Sequence, residues 1–399
     1  MSTTSSRPVF DVASFNKLPD FAGAVAEIRR EGSIVRSEDF EGFYAVLGYS
    51  DLKSVAADSA TFCSGQGATI PRLGNQIPAV PTETDPPEHR DYRKLMVPEL
   101  RPDRVTEWEG EIRQSVDDCI DAFIERGSAD LAAELAHIVP PRIITRIIGL
   151  PEEDGDLFAT WTTELNHAST SKDPDAKAAA AKVMLDYVDG KVTAARATAG
   201  ASLLHRVANA EINGVPISHE AAIGAIFTLV IAGHETTVNG IGALLWLVGA
   251  HPAAKRLLLH DRSLVDAAVE EALRLESPVL MAGRTVTAPA SLGGIDMSVG
   301  DRVALHFGAA NLDAEAFDRP GEFNIERDKN PHVAFGHGIH RCVGEHLARA
   351  EMRIALERVL DRIPDYEVTG DVEIGGSNVF TRGPRAVPVR FTPGSRFSA

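Results

Sequence analysis

The chain has 399 residues, 44% of them apolar and 24% charged, with a formal net charge of −17. Such a composition suits a globular protein with a large core and excludes a fibrous, collagen-like or largely disordered chain. The acidic balance repels phosphate backbones and argues against nucleic-acid binding. No linker, repeat or low-complexity run divides the sequence, so residues 1–399 read as one domain with a flexible tail over 1–15.

Met1 to Pro8 is polar and has neither the basic start nor the apolar run of a signal peptide, which predicts a cytoplasmic protein. Phe21 to Glu31 has helical apolar spacing, Ser33 to Leu47 alternates like a small hairpin, and Asp51 to Ala57 returns to helix. Gly65, Gly67, Pro71, Gly74, Pro78 and Pro81 break regular structure between Ser64 and Thr84. A long loop inside a compact chain is usually functional, and this one carries the apolar Ile70, Leu73, Ile77 and Val80.

Asp85-Pro86-Pro87-Glu88 opens a helix on which His89 and Arg93 share a face. A solvated helix surface has the same i,i+4 spacing. Helical spacing continues from Val105 to Gly149, with a stop at Gly127, and again over Asp154 to Ser169 and Ala176 to Ala197.

Ser218 caps a predicted helix reaching about Ala250, long and apolar enough to be mistaken for a membrane span. His234, Glu235 and Asn239 in its middle would be costly in a bilayer, so it reads as a core helix and no membrane partner is expected. At its centre, Ala232-Gly233-His234-Glu235-Thr236-Thr237 sets an acid beside hydroxyls in apolar surroundings. Buried polar groups need a partner or a task. Proton delivery is one task, back-bonding of the threonines to helix carbonyls is another reading, and Gly233 allows a local departure from regular bonding.

Ser263 to Leu275 is a helix containing Glu271 and Arg274, an ordinary i,i+3 pair by spacing alone. Ala282 to Val286 and Val299 to Phe307 read as strands, and Tyr366 to Phe391 as short strands and turns. Between them lies Phe335-Gly336-His337-Gly338-Ile339-His340-Arg341-Cys342-Val343-Gly344, followed by helical spacing from Glu345 to Ile363. Gly336 and Gly338 permit a tight turn, and a cysteine beside a helix start is more readily a thiolate. Cys63 and Cys119 are too scattered to build a disulfide framework or a zinc site with it.

The pattern Phe335-x-x-Gly338-x-x-x-Cys342-x-Gly344 resembles the haem-binding signature of the cytochrome P450 family, and Ile70-Pro71-Arg72 with Pro81-Thr82, and the run Gly336 to Cys342, resemble its camphor- and cineole-hydroxylating bacterial members respectively. The resemblance implies a mainly α fold with a minor β portion, and haem b between the long central helix and the cysteine loop. Cys342 would be the iron ligand, and His89, Arg93, Arg284 and His340 would meet the haem propionates. Glu235 would take the acid role and Thr236 the hydroxyl role in oxygen activation. Glu271, Arg274 and Arg319 would form a structural ion-pair network under the haem loop. Ile77, Leu165, Ile231, Ala232, Val279, Leu280 and Val379 would line the substrate pocket. Ile77 stands where the camphor enzyme presents a tyrosine hydroxyl, which argues against camphor itself.

The implied activity is hydroxylation of a small, mainly apolar substrate, terpenoids included, with O2 and electrons from an external ferredoxin and its reductase. Arg90, Lys94, Arg101, Arg341, Arg349 and Arg353 form the basic set expected to meet that ferredoxin. The competing functions are a haem-thiolate sensor without turnover and a peroxide-driven oxygenase.

Overall fold

The computed structural model describes residues 10–171, 173–376 and 378–397, without the side chain of residue 156. Residues 10–15 of the expected flexible tail take part in the fold. Residues 1–9 lie outside the description, but Val12–Phe15 is a helical turn capped by the Asp11 carboxylate, and Phe10 and Val12 are buried. Apolar side chains that close a core at the amino end are thereby fixed.

Helices dominate. Pro102–Phe123, Val139–Ile148, Gly155–Ser169, Pro174–Ala197, Val265–Leu275 and Glu345–Arg362 pack their apolar faces into one large core. Gly127 and Gly149 end helical segments with φ of 71° and 87°, the left-handed conformation a side chain resists. The helical reading of 105–149 missed a short strand, Ser128–Asp130, which pairs with Pro388–Arg390 from the far end of the chain. Local spacing carries no sign of that distant partner.

The minor sheet places its strands in the order Ile34–Ser37, Phe43–Val46, Arg302–His306, Met281–Val286 and Phe62–Cys63. Arg302–His306 runs parallel to Phe43–Val46, and the other pairings are antiparallel. Val303 stands opposite Arg284, which fixes that arginine at the cavity edge. The Ser64–Thr84 loop is tied down by carboxylates. Glu83 accepts from Ala68 N, Ala79 N and Asn75 Nδ2, and Asp85 accepts from Ser64 N and Gly65 N at 2.8 and 2.9 Å.

The central helix is two helices, His219–Ala232 and Glu235–Ala250, rather than one unbroken element. Ser218 Oγ caps the first by accepting from Ala221 N at 3.1 Å. At the break His234 has φ −105° and ψ −85°. A Cβ on Gly233 would lie 2.5 Å from Ile144 Cγ1, so glycine lets the break press against the Val139–Ile148 helix. The combined run is long and apolar enough to cross a membrane, and 67% of its most apolar window is buried in protein here.

Candidate active site

A cavity of about 280 Å³ lies between the central helix break and the cysteine loop. Thr228, Leu229, Ala232, Gly233, Thr236 and Thr237 form one wall, and Ala334 to Gly336 with His340 to Gly344 form the other. The loop is held from several sides. Cys342 N donates to Phe335 O at 2.8 Å, Gly336 and Gly338 have φ of 76° and 73°, and a Cβ on Gly338 would strike Ala56 O at 2.3 Å. Gly344 stands at the start of the Glu345–Arg362 helix, where its Cβ position is 3.9 Å from Cys342 Sγ.

The Cys342 side chain is exposed and opens onto the cavity, yet it lies deep enough among protein atoms to be desolvated. Burial pushes its thiol up, the Gly344 N–H pulls it down, and the Glu345 carboxylate pushes it up again. Position near a helix start therefore does not by itself make a thiolate here, because the helix begins three residues later and brings a carboxylate with it.

His89, Arg93, Arg284 and His340 converge at one edge of the cavity. The His89 and His340 rings meet edge to face at 4.4 Å, and the Nε2 atom of each is buried without a hydrogen-bond partner. Arg93 Nη2 donates to Arg341 O at 2.5 Å, and Arg284 Nη1 to Gly283 O at 2.7 Å. Burial holds Arg284 down to about 10 and His340 down to about 3. Such a concentration of buried donors suits an anionic ligand with several acceptor oxygens, and the two carboxylates of a haem fit it.

Across the cavity, Thr236 Oγ1 donates to Ala232 O at 2.8 Å. In an unbroken helix that carbonyl would accept from the backbone of residue 236, so the hydroxyl repairs the interruption, and back-bonding is realised for Thr236. Glu235 is turned to other elements. It accepts from Asn166 Nδ2 on the Gly155–Ser169 helix and from Thr381 Oγ1 at 3.2 Å. Beside it His234 is buried, both ring nitrogens lack a partner, and burial holds it down to about 4.

The expected pocket is only partly assembled. Ala232 and Val279 line the cavity. Ile77, Leu165, Ile231, Leu280 and Val379 do not. Leu165 is fully buried in the large core, and Ile77 and Ile231 pack against that core. Leu280 and Val379 belong to a second core with Phe21 and Val35. Successive residues point apart, about 100° on a helix and to opposite faces in extended chain, so Ala232 and Val279 face the cavity while Ile231 and Leu280 do not. Ser377, within the strands and turns expected over 366–391, lies outside the described residues.

The ion-pair network also needs correction. Glu271 receives Arg274 Nε and Nη2, each at 2.8 Å, but its further guanidinium is Arg327, at 3.1 Å, and not Arg319. Arg319 sits in a turn at φ 42°, its side chain 60% exposed, and pairs with Asp318 and Glu322. Burial would raise Glu271, yet the bonds from Arg274 and Arg327 hold it below its ordinary value. Arg274 continues to the carbonyls of Asn311, Pro320 and Glu322, stitching the Val265–Leu275 helix to the segment that precedes the cysteine loop. Nothing in the sequence pointed to Arg327 as a partner of Glu271, or to a meeting of Asn166 and Thr381 at Glu235.

Residues 178–364 match the family model for cytochrome P450. The chain is 34% identical to the cytochrome P450 monooxygenase PikC of Streptomyces venezuelae, over 98% of this chain and 96% of that protein. It is also 34% identical to a vitamin D(3) 25-hydroxylase of Pseudonocardia autotrophica, over 80% of each. The crystal structure of CYP108D1 from Novosphingobium aromaticivorans superposes with a TM-score of 0.85 at 26% identity, over 96% of this chain and 97% of that one. With the cysteine loop, the broken helix and the cationic edge in one cavity, these likenesses show that the chain belongs to the cytochrome P450 family of haem-thiolate monooxygenases.

Proposed function

We propose that the chain hydroxylates a small, mainly apolar molecule of terpenoid type, using O2 and electrons from a separate ferredoxin and its reductase in the cytoplasm. The single observation carrying this reading is a hydroxyl at a helix break that faces a cysteine loop across an apolar cavity, with an acid next to it in sequence held by other elements. In this reading residues 1–399 work as one domain, and the near full-length likeness to PikC supports it. Cys342 supplies the sulfur ligand, with Phe335, Gly338 and Gly344 shaping its loop. His89, Arg93, Arg284 and His340 receive the haem carboxylates. When bound, haem supplies the activation of O2 by electrons and protons.

The protein's own contribution is proton handling and exclusion of water. Ala68, Leu100, Ile144, Leu229, Ala232 and Val279 offer an incoming ligand apolar surface. Thr236 presents its hydroxyl oxygen to that space, and Glu235 is the proton source behind it. Several members of the basic set already bear carboxylate partners. Arg341 and Arg349 pair with Glu345, Arg353 with Glu109, Lys94 with Asp91 and Arg101 with Asp103. An acidic ferredoxin would compete with these neighbours, so docking there should be strongly salt-dependent.

The test is an optical titration of the ferric holoprotein with cyclic monoterpenoids and with larger sterol-like terpenoids, followed by NADPH-linked turnover through a ferredoxin pair. A low-to-high spin change with monoterpenoids, and a hydroxylated product, is expected. A response confined to the larger class overturns the size assignment. A spin change with no product overturns the enzyme reading in favour of a sensor.

A further inference from the structure

The Glu235 carboxylate is held by two segments remote in sequence, Asn166 being 69 positions away and Thr381 146. A carboxylate only accepts, so the Asn166 amide must present its NH2 and Thr381 its hydroxyl hydrogen. Each contact arrives from a different element. Asn166 sits near the end of the Gly155–Ser169 helix, with Ser169 Oγ donating to its backbone carbonyl at 2.6 Å. Thr381 sits in the turn begun by Asn378.

Thr381 has a single hydroxyl hydrogen but two acceptors in reach, Glu235 Oε1 at 3.2 Å and Asn378 Oδ1 at 3.0 Å. Asn378 Oδ1 also receives the N–H groups of Phe380 and Thr381 at 2.8 Å. The hydroxyl can therefore leave the carboxylate without going unpartnered, which makes this contact exchangeable at small cost. The backbone of Thr381 forms an isolated β-bridge with Val279, and Val279 lines the cavity. A molecule pressing on Val279 thus bears on the residue that holds Glu235.

We propose that Asn166 and Thr381 are positioning residues that make the placement of Glu235, and so proton delivery, conditional on an apolar molecule filling the cavity against Val279. This rests on the acid role of Glu235 proposed above. With the cavity filled, the bridge is pressed home, Thr381 donates to Glu235, and the carboxylate is fixed from both sides. With Val279 free to move, the hydroxyl turns to Asn378 and Glu235 loses one of its anchors. Proton supply then follows occupancy of the cavity.

The experiment uses the holoprotein with NADPH and a ferredoxin pair, and reads the share of consumed O2 released as hydrogen peroxide in H2O and D2O, with 1,8-cineole as the probe. Hydrogen exchange of segment 378–381 is followed beside it, with and without the probe. Loss of one positioned bond to a charged group is worth about tenfold. Asn166→Ala and Thr381→Val should each raise the ratio of peroxide to water-forming turnover by about that factor, and Asn166→Gln should restore part of it.

In a Glu235→Gln background, neither substitution should add anything. The probe should protect 378–381 in the parent protein and lose that effect in Thr381→Val. If Glu235→Gln itself changes neither the peroxide share nor the isotope effect, the acid reading fails. If it changes both, but Asn166→Ala and Thr381→Val act additively with it, the acid reading stands and the positioning proposal is overturned. Unchanged exchange at 378–381 on adding a probe that alters the spin state overturns it as well.

Discussion

The two walls of the cavity are built on opposite plans. Behind the cysteine loop, charge is abundant and multiply bonded: Glu271 is fully buried and receives Arg274, Arg327, Asn330 and the Asn324 N–H, while Glu270 ties Arg349 to His332. Arg349 also stacks on Phe335, 4.4 Å from its ring centre. On the facing wall the central helix is interrupted, and its acid and its hydroxyl rest on a few individual bonds. A sulfur ligand must stay in one place, which favours an over-determined mount. In the proposed reading the facing wall carries protons, and such a path must open and close, which favours contacts that can be exchanged.

The difference is sharpest if the mount is broken. Arg274→Ala takes the bidentate partner from a fully buried carboxylate and empties a buried site, and should lower stability by about 3–5 kcal/mol, read as a shift of the urea midpoint, with Arg274→Lys giving little rescue because the fork is bidentate. Acid should attack the same wall. The bonds from His332 and Arg349 overcome burial and hold Glu270 at about 2, against an ordinary 4.5. A carboxylate depressed on folding stabilises the protein above its unfolded value, and that contribution is lost as pH falls through the folded one. About 3 kcal/mol should therefore be withdrawn between pH 4.5 and 2. Denaturation at stepped pH should show Glu270→Gln differing from the parent at pH 6 and converging with it near pH 2.

The facing wall should respond less. Gly233→Ala gains about 0.4–1 kcal/mol by restricting the unfolded chain, since its backbone suits alanine, but its Cβ meets Ile144, and overpacking of about 1–3 kcal/mol wins. The double variant with Ile144→Ala should recover part of that loss in the same midpoint assay. A loss as large as that of Arg274→Ala would erase the distinction between the walls. The smallest effect belongs to Arg319→Ala, expected within about 0.5 kcal/mol because the side chain is exposed and outside the Glu271 cluster.

What could be read from the sequence was what local chemistry fixes. Gly336, Gly338 and Cys342 constrain one another over a few residues, so the loop was legible, and so was the cap at Ser218. Gly233 announced a departure from helix, though not that His234 would end one helix and begin another. Legibility failed where a partner arrives from far along the chain. Arg319 was the nearer candidate for Glu271, and only the folded path of 311–330 brings Arg327 in instead. Asn166 and Thr381 lie far from Glu235 along the chain, and their meeting there is a tertiary event. Leu165, Leu280 and Val379 were apolar and near the right segments, but which way an apolar residue faces is decided by the layer beneath it.

The interruption at residues 233–234 sets a direction. Thr236 has one hydrogen to give, and the carbonyl of Ala232 already takes it. Toward the cavity the residue therefore shows lone pairs alone, and an O–H group arriving there is met as a donor. For Thr236 to donate in turn it must let go of the carbonyl, leaving the cut end of the first helix bare. The broken helix thus works as a one-way valve, admitting hydrogen bonds from the cavity side and charging for any made in the other sense.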